Sequence, residues 1–310
     1  MIVSICTITY GHESFIKDTI ESVLNQKVNF DIEFIIANDN SPDDTDKIVK
    51  EYINTHPKGK SIKYFNHEKN LGMMPNFIFA LKQCNGKYIA LCEGDDYWTD
   101  PNKLQKQVDF LEANPDYVVC YHNALKINEK QENLGLAFPE GSIPNYNELG
   151  LKKGAWLLTL TMCFRNVLDR LPEEFMRVPN GDTFLISLLG NYGKGKFMDN
   201  ISHSCYRIHG GGVWSMQNNW TKIRYHITTY KQLQGYYKKQ NDKEIESHFS
   251  NMTYCSCLNL IKESYRMKNL RLFGKSWVVF FQHGEVITKF DRIALQLLRS
   301  TGKLLKVFYE

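Results

Sequence analysis

Tyr88-Ile89-Ala90-Leu91-Cys92-Glu93-Gly94-Asp95-Asp96-Tyr97-Trp98-Thr99-Asp100-Pro101 is an apolar, β-prone run that stops abruptly in a cluster of carboxylates. A buried strand ending in charge is how open α/β sheets present ligand sites at their carboxyl edges. Working outward, residues 2–8 form a similar run, bounded by Thr9-Tyr10-Gly11-His12. Phe15, Ile16, Thr19, Ile20, Val23 and Leu24 follow at helical spacing. Residues 32–37 make a second strand ending in Asn38-Asp39-Asn40-Ser41-Pro42-Asp43-Asp44, before a helix marked by Ile48, Val49 and Tyr52. A strand at 62–65 and a helix at 76–84 lead back to the quoted segment. Strands alternating with helices predict a mostly parallel sheet covered on both faces, with the polar loops after the first, second and fourth strands converging on one cleft.

Further along, the spacing predicts a helix from Leu104, a strand at 117–121, a long loop or lid over 129–154, a strand at 156–164, a helix at 182–189 and a last strand region at 197–208. Beyond Trp214 helices dominate. The chain of 310 residues carries a formal charge of +4 at pH 7. That charge is uneven, with 22 Lys and Arg against 27 Asp and Glu up to residue 214, then 16 against 7 in 215–310. We therefore divide the chain into 1–214 and a basic, mainly helical region 215–310. The acidic part does not suit nucleic acid; the basic part suits an anionic surface or is a solvated helix face. In the tail, Val286, Phe290, Ile293, Ala294, Leu297, Leu298, Leu305 and Phe308 share a helical spacing, with Lys289, Arg292, Arg299, Lys303 and Lys306 largely on other faces. This reads as a membrane-surface helix, or one docking on the rest of the chain or on a second subunit of a homo-oligomer.

The eight cysteines lack zinc-site or secreted-framework spacing, the start lacks signal-peptide features, and no run reaches about 18 apolar residues. The expectation is a cytoplasmic protein with buried thiols, peripheral at most to the inner face of the cell membrane. Neither G-x-G-x-x-G after the first strand nor G-x-x-x-x-G-K-[ST] occurs, which argues against a dehydrogenase or P-loop ATPase.

Carboxylates packed as Glu93, Asp95, Asp96 and Asp100 repel one another unless a cation or hydrogen-bond donors compensate them. Mg²⁺ or Mn²⁺ bridging to a diphosphate fits that need; a solvated acidic turn capping the next helix is the other reading. Asp39 can accept the N3–H of a uracil or thymine ring, or close an Asx turn. Asp182 opens a helix after Pro179-Asn180-Gly181, as an N-cap or as a base near the cleft.

Taken together, Ser4 to Tyr10 with Glu13, Ile35 to Ser41 with Asp43-Asp44-Thr45, Asn70-Leu71-Gly72, Gly86-Lys87-Tyr88-Ile89 and Glu93-Gly94-Asp95-Asp96 occur in a telling order. That series resembles the inverting glycosyltransferases of family 2, which have the GT-A fold, over about residues 1–214. The stretch from Gly94 to Pro101 followed by Lys103-Leu104 is similar to bacterial members of the cell-surface polysaccharide type. The resemblance implies an α/β GT-A domain, with nucleotide-sugar binding in about 1–100 and the acceptor part in about 101–214. It implies Thr9, Tyr10 and Glu13 around the nucleoside, Asp39 on the base, Asn70 and Gly72 beside the donor, and Asp95 toward the diphosphate. It also implies Asp96, Asp95 and Glu93 as ligands of Mn²⁺ or Mg²⁺, His209 reaching metal or diphosphate, and Asp182 as general base. Departures are Ile8-Thr9-Tyr10-Gly11 for Pro-Thr-Tyr-Asn, Asn38-Asp39 for paired aspartates, and Glu93 at the first D-x-D position.

The implied reaction is metal-dependent inverting transfer from a nucleotide-sugar, UDP-linked by preference, to a glycan or lipid-linked acceptor. Glycines at 210–212 allow a mobile lid there, and Trp214 is placed either to stack on an acceptor sugar or to pack in the core. The rival readings are a catalytically silent nucleotide- or glycan-binding subunit and a nucleotidyltransferase.

Overall fold

A computed structural model describes residues 2–167, 170–212 and 214–283. They divide into two compact units, one of residues 2–167, 170–171, 181–212 and 214–216, the other of 172–180 with 217–283.

The first unit is built on β1 (Ile2–Thr9), β2 (Asp31–Asn38), β3 (Ile62–Asn66), β4 (Tyr88–Leu91), β5 (Tyr117–Tyr121), β8 (Cys163–Arg165) and β9 (Lys194–Phe197). These form one sheet in the order β3-β2-β1-β4-β8-β5-β9. The crossovers are α1 (Ile16–Leu24), α2 (Thr45–Thr55), α3 (Met73–Gln83) and α4 (Lys103–Ala113). Strand β1 is central because its Val3, Ile5 and Cys6 are shielded on both faces. It pairs in parallel with β2 and β4, with Ile5 opposite Phe34 on one side and Ala90 on the other. Ile16, Ile20, Val23 and Leu24 of α1 close one face over Val3, Ile5 and Phe34. The mostly parallel α/β architecture expected from the alternation is the one observed; only β8 runs antiparallel, wedged between β4 and β5.

Three local expectations are revised. The expected loop at 129–154 contains the antiparallel partner β7 (Asn133–Leu136) of β6 (Ala124–Asn128), and the helix α5 (Glu148–Lys152). The connection is tight because Asn128 Oδ1 accepts from the N–H groups of Lys130 and Glu132, while Gln131 takes a φ of 62°. Of the strand expected over 156–164 only β8 remains. Thr159–Thr161 coils into a 3₁₀ turn where the Thr161 hydroxyl donates to Leu158 O, a local bond that competes with the ladder. The last strand region splits into β9 and β10 (Ser204–Ile208), and β10 leaves the main sheet to pair with β6.

Helix α6 (Asp182–Leu189) completes the first unit. In the second unit α7 (Asn219–Lys239), α8 (Lys243–Arg266) and α9 (Leu270–His283) bury Trp220, Ile227, Cys257, Leu260 and Phe280 among themselves. Glu174 pairs with Lys239 at 2.5 Å, and Asn180 accepts from the Thr229 hydroxyl at 2.9 Å, so the short 172–180 segment is tied to this helical unit. Among the described residues no helix is long and apolar enough to cross a membrane. The amphipathic tail pattern beginning at Val286 lies outside the described residues.

Candidate active site

The loops at the carboxyl ends of β1, β2 and β4 are stitched into one surface. Gly11 N–H donates to Ser41 Oγ, His12 N–H to Thr45 Oγ1 and Glu13 N–H to Asp43 Oδ2, each at 3.0 Å. Glu13 Oε2 accepts Asp44 N–H at 2.9 Å in return, which makes Glu13 a brace between the first two loops. Asp39, buried, receives Leu71 N–H on one carboxylate oxygen at 2.7 Å and Gly72 N–H on the other at 2.8 Å. It therefore binds the end of β2 to the segment holding Asn70, which is exposed. Gly72 has a φ of +92°, a conformation that side-chain-bearing residues rarely adopt, at the mouth of α3. Thr9 is buried and Tyr10 stands 48% exposed at the rim.

Gly94 explains how the acidic loop can lie on the first. A Cβ there would sit 2.7 Å from Thr9 Cβ and 2.9 Å from His12 Nδ1, so only glycine permits the approach. That approach brings Asp95 to two histidines. Its Oδ2 is 2.9 Å from His209 Nε2 and 3.9 Å from His12 Nε2. Among the described residues His12, Asp95 and His209 form a group whose ligand atoms all lie within 4.8 Å of one another. Two imidazoles and one carboxylate are a donor set that suits Mn²⁺ and other divalent first-row ions. Thr9 Oγ1 lies 3.2 Å from His12 Nδ1, supplying the outer hydrogen bond that orients a ligating histidine. Burial holds the His12 imidazole below the ordinary histidine range, keeping the ring neutral and its lone pair available.

This group differs from the expected ligands: it includes His12, and it includes neither Asp96 nor Glu93. Asp96 is buried and its Oδ1 accepts Arg207 N–H at 2.7 Å, while its carbonyl accepts the Thr19 hydroxyl at 2.8 Å. It anchors β10 and α1 to the acidic loop. Arg207, also buried, completes the anchor, donating to Asp95 O at 2.9 Å and Asp18 Oδ2 at 2.8 Å with its guanidinium over the Phe15 ring. His12 and Arg207 are the two residues the sequence reading did not single out. His12 appeared there as a turn residue, and Arg207 did not appear.

Glu93 is not part of that group. Burial, and next the charge of Asp95, push its carboxyl up to about 8, with Asp182 among the further contributors. Among the described residues its Oε2 finds no hydrogen-bond partner, and it has no contact with solvent. Asp182, at the start of α6, accepts Thr183 N–H on Oδ1 at 2.7 Å. Tyr206, half-buried on β10, reports the same convergence: its hydroxyl is pushed up first by burial, then by Asp96, Asp95, Glu93 and Asp182. Carboxylates from two places in the sequence, the 93–96 loop and Asp182, thus act on one phenol. Trp214 is 37% exposed, and Trp156, 62% exposed, rests edge-on against Phe138. A separate cavity of about 320 Å³ beside α1, lined in part by Asp18, Glu21, Asn25 and Tyr97, includes none of His12, Glu93, Asp95, Asp182 and His209.

The Glu93 proton has a measurable consequence. Between the ordinary 4.5 and about 8 the folded chain keeps a proton that the unfolded chain has shed, so stability falls as pH rises through that window. Glu93→Gln preserves the shape and removes the titration. In chelator, the Tm of the variant is expected to drop less than that of the parent across the window, by roughly a few degrees. Parallel melting curves for the two proteins would contradict this protonation.

The sequence model of glycosyl transferase family 2 matches residues 4–172. The chain belongs to that family. Similar proteins include an uncharacterized glycosyltransferase of Methanocaldococcus jannaschii, 34% identical over 45% of this chain and 47% of its own length. An uncharacterized glycosyltransferase of Rickettsia conorii is 26% identical over 89% of this chain and 44% of its own. An uncharacterized protein of Mycobacterium bovis is 40% identical over 41% of this chain and 36% of its own length. The chain thus spans about a third to a half of the length of these three relatives. Two solved structures share the GT-A fold of this family 2 chain. S. aureus TarS 1-349 in complex with UDP-GlcNAc aligns with a TM-score of 0.63 at 15% identity, covering 92% of this chain and 82% of that one. The mannosyltransferase PcManGT from Pyrobaculum calidifontis in complex with GDP-Man and Mn²⁺ aligns at 0.54 and 14%, covering 99% and 83%.

Proposed function

We propose that this chain transfers a sugar from a nucleotide-sugar, a UDP-sugar by preference, to a hydroxyl of a glycan or lipid-linked acceptor in surface polysaccharide assembly. Transfer proceeds with inversion and with a divalent cation, Mn²⁺ or Mg²⁺. What supports the reading is the His12–Asp95–His209 group, with Asp182 and Glu93 near enough to raise one another's or Tyr206's proton affinity. The solved relatives, one holding UDP-GlcNAc and the other GDP-Man with Mn²⁺, support a nucleotide-sugar donor.

Asp39 and the 70–72 segment form the floor for the nucleoside, with Thr9, Tyr10 and the Glu13 brace as its wall. Each Asp39 oxygen keeps a second lone pair beyond the bonds from Leu71 and Gly72, enough to accept a pyrimidine N3–H. His12, Asp95 and His209 would hold the cation, which when bound neutralises charge on the diphosphate. Asp182 takes the proton of the acceptor hydroxyl. That oxygen forms its bond to the anomeric carbon from the face opposite the leaving group, and the sugar–phosphate C–O bond breaks as the nucleoside diphosphate departs. A single displacement inverts the anomeric centre. Glu93, protonated at neutral pH, adds no further negative charge beside the departing diphosphate and offers it or the sugar a hydrogen-bond donor. Trp214 and the glycines at 210–212 belong on the acceptor side.

A thermal-shift screen of UDP-, GDP- and dTDP-sugars with and without Mn²⁺ tests the donor. At about a hundred times its Kd a true donor raises Tm by roughly 5 °C or more, and the rise should require the cation. A response to none of them would remove the nucleotide-sugar reading. A response without transfer to any acceptor would assign a binding subunit instead.

A further inference from the structure

The turn between α8 and α9 presents apolar side chains to solvent where a helical hairpin would ordinarily be polar. Residues 265–271, Tyr265-Arg266-Met267-Lys268-Asn269-Leu270-Arg271, are all exposed. Tyr265 is 75% exposed, Leu270 77% and Met267 42%, the first two among the most exposed large apolar side chains of the described residues. The turn is nevertheless well built. Lys268 adopts a left-handed φ of 50°, its N–H donates to Tyr265 O at 3.0 Å, and Asn269 Oδ1 caps α9 through Leu272 N–H at 3.0 Å. The Tyr265 ring leans on Phe273 at a centroid distance of 6.4 Å. An exposed patch held in place in this way calls for a partner.

The charges decide which partner. From Ser264 to His283 the chain carries Arg266, Lys268, Arg271 and Lys275 and no carboxylate. Glu263, at the edge, reaches only Arg266, at 3.6 Å. Apolar tips ringed by cations match the boundary of an anionic bilayer, where tyrosine and leucine enter the headgroup–acyl zone and the lysine and arginine stems reach back to phosphates. We propose that the α8–α9 turn is a docking tip for an anionic phospholipid surface. The inference is independent of the sugar-transfer reading, since it uses no residue of that site.

Co-sedimentation of the full chain with phosphatidylglycerol–phosphatidylcholine vesicles, against pure phosphatidylcholine, tests it. Binding to the anionic vesicles alone is expected, and it should weaken as salt rises past about 0.1 M. Each cation near such a surface contributes about fivefold to partitioning, so Arg266→Glu/Lys268→Glu/Arg271→Glu should lower binding by at least roughly a hundredfold. Leu270→Ser should lower it while leaving the salt dependence. These side chains are exposed, so circular dichroism and Tm should match the parent. Tyr265→Trp supplies a direct readout, with emission shifting to the blue and quenched by brominated lipid only on anionic vesicles. No sedimentation with anionic lipid overturns the proposal. So does binding that survives the triple substitution, which would place lipid contact elsewhere in the basic region. Self-association abolished by Leu270→Ser, without lipid binding, would make the tip a contact between copies of this chain.

Discussion

Asp182→Asn is expected to abolish sugar transfer while leaving the donor bound. Asparagine keeps the oxygen that accepts Thr183 N–H, so the start of α6 survives, and what is lost is the capacity to hold the acceptor's proton. General-base assistance is worth roughly 10² to 10⁴ in rate, and kcat should fall by that amount. Donor affinity, measured by calorimetry with Mn²⁺ present, should change less than about twofold, because the carboxylate is assigned no donor contact. Retention of transfer within about tenfold of the parent would remove Asp182 from the mechanism. A collapse of donor binding would instead make Asp182 part of the donor site.

Asp95→Asn has the second large effect. It deletes the one anionic member of the His12–Asp95–His209 group while keeping the carboxamide shape. Mn²⁺ affinity, read by electron paramagnetic resonance of the free ion, should fall at least about 100-fold, beyond the range seen when outer-shell partners are lost. Asp96→Asn is the informative companion. Its oxygen can still accept Arg207 N–H, so the anchor holds and Mn²⁺ affinity should change less than about tenfold. The reverse ranking would restore Asp96 as the ligand and dismiss the histidine-rich set. Protonation of His12 competes with the metal, and burial holds that protonation below the ordinary histidine range, so His12 itself should stay available to the cation as pH falls through that range.

The local signals carried the fold well. Apolar runs such as those of β1 and β2, and the helical spacing of Ile16, Ile20 and Val23, follow from a side-chain period that neighbours along the chain determine. Failures came where a short-range competitor intervened. Asn128 closed a hairpin inside the expected loop, and the 3₁₀ turn at Thr159–Thr161 consumed most of an expected strand. Asp39, Gly72 and Asp95 were nameable because ordered motifs carried them and His209 because the family resemblance implied it, although the bonds from Asp39 to the backbone at 71 and 72 were not readable from spacing.

What the sequence determined by itself was the alternation of strands and helices, the crowding of carboxylates after β4 and the uneven distribution of charge, all properties of near neighbours or of composition. Which carboxylate meets which histidine was decided only in three dimensions. Asp95 and His209 are 114 positions apart, and their contact depends on Gly94 letting two loops touch and on Arg207 and Asp96 pinning β10 against them. Adjacent aspartates in one turn point in different directions, so residue type gives the available chemistry and packing selects the atom that performs it.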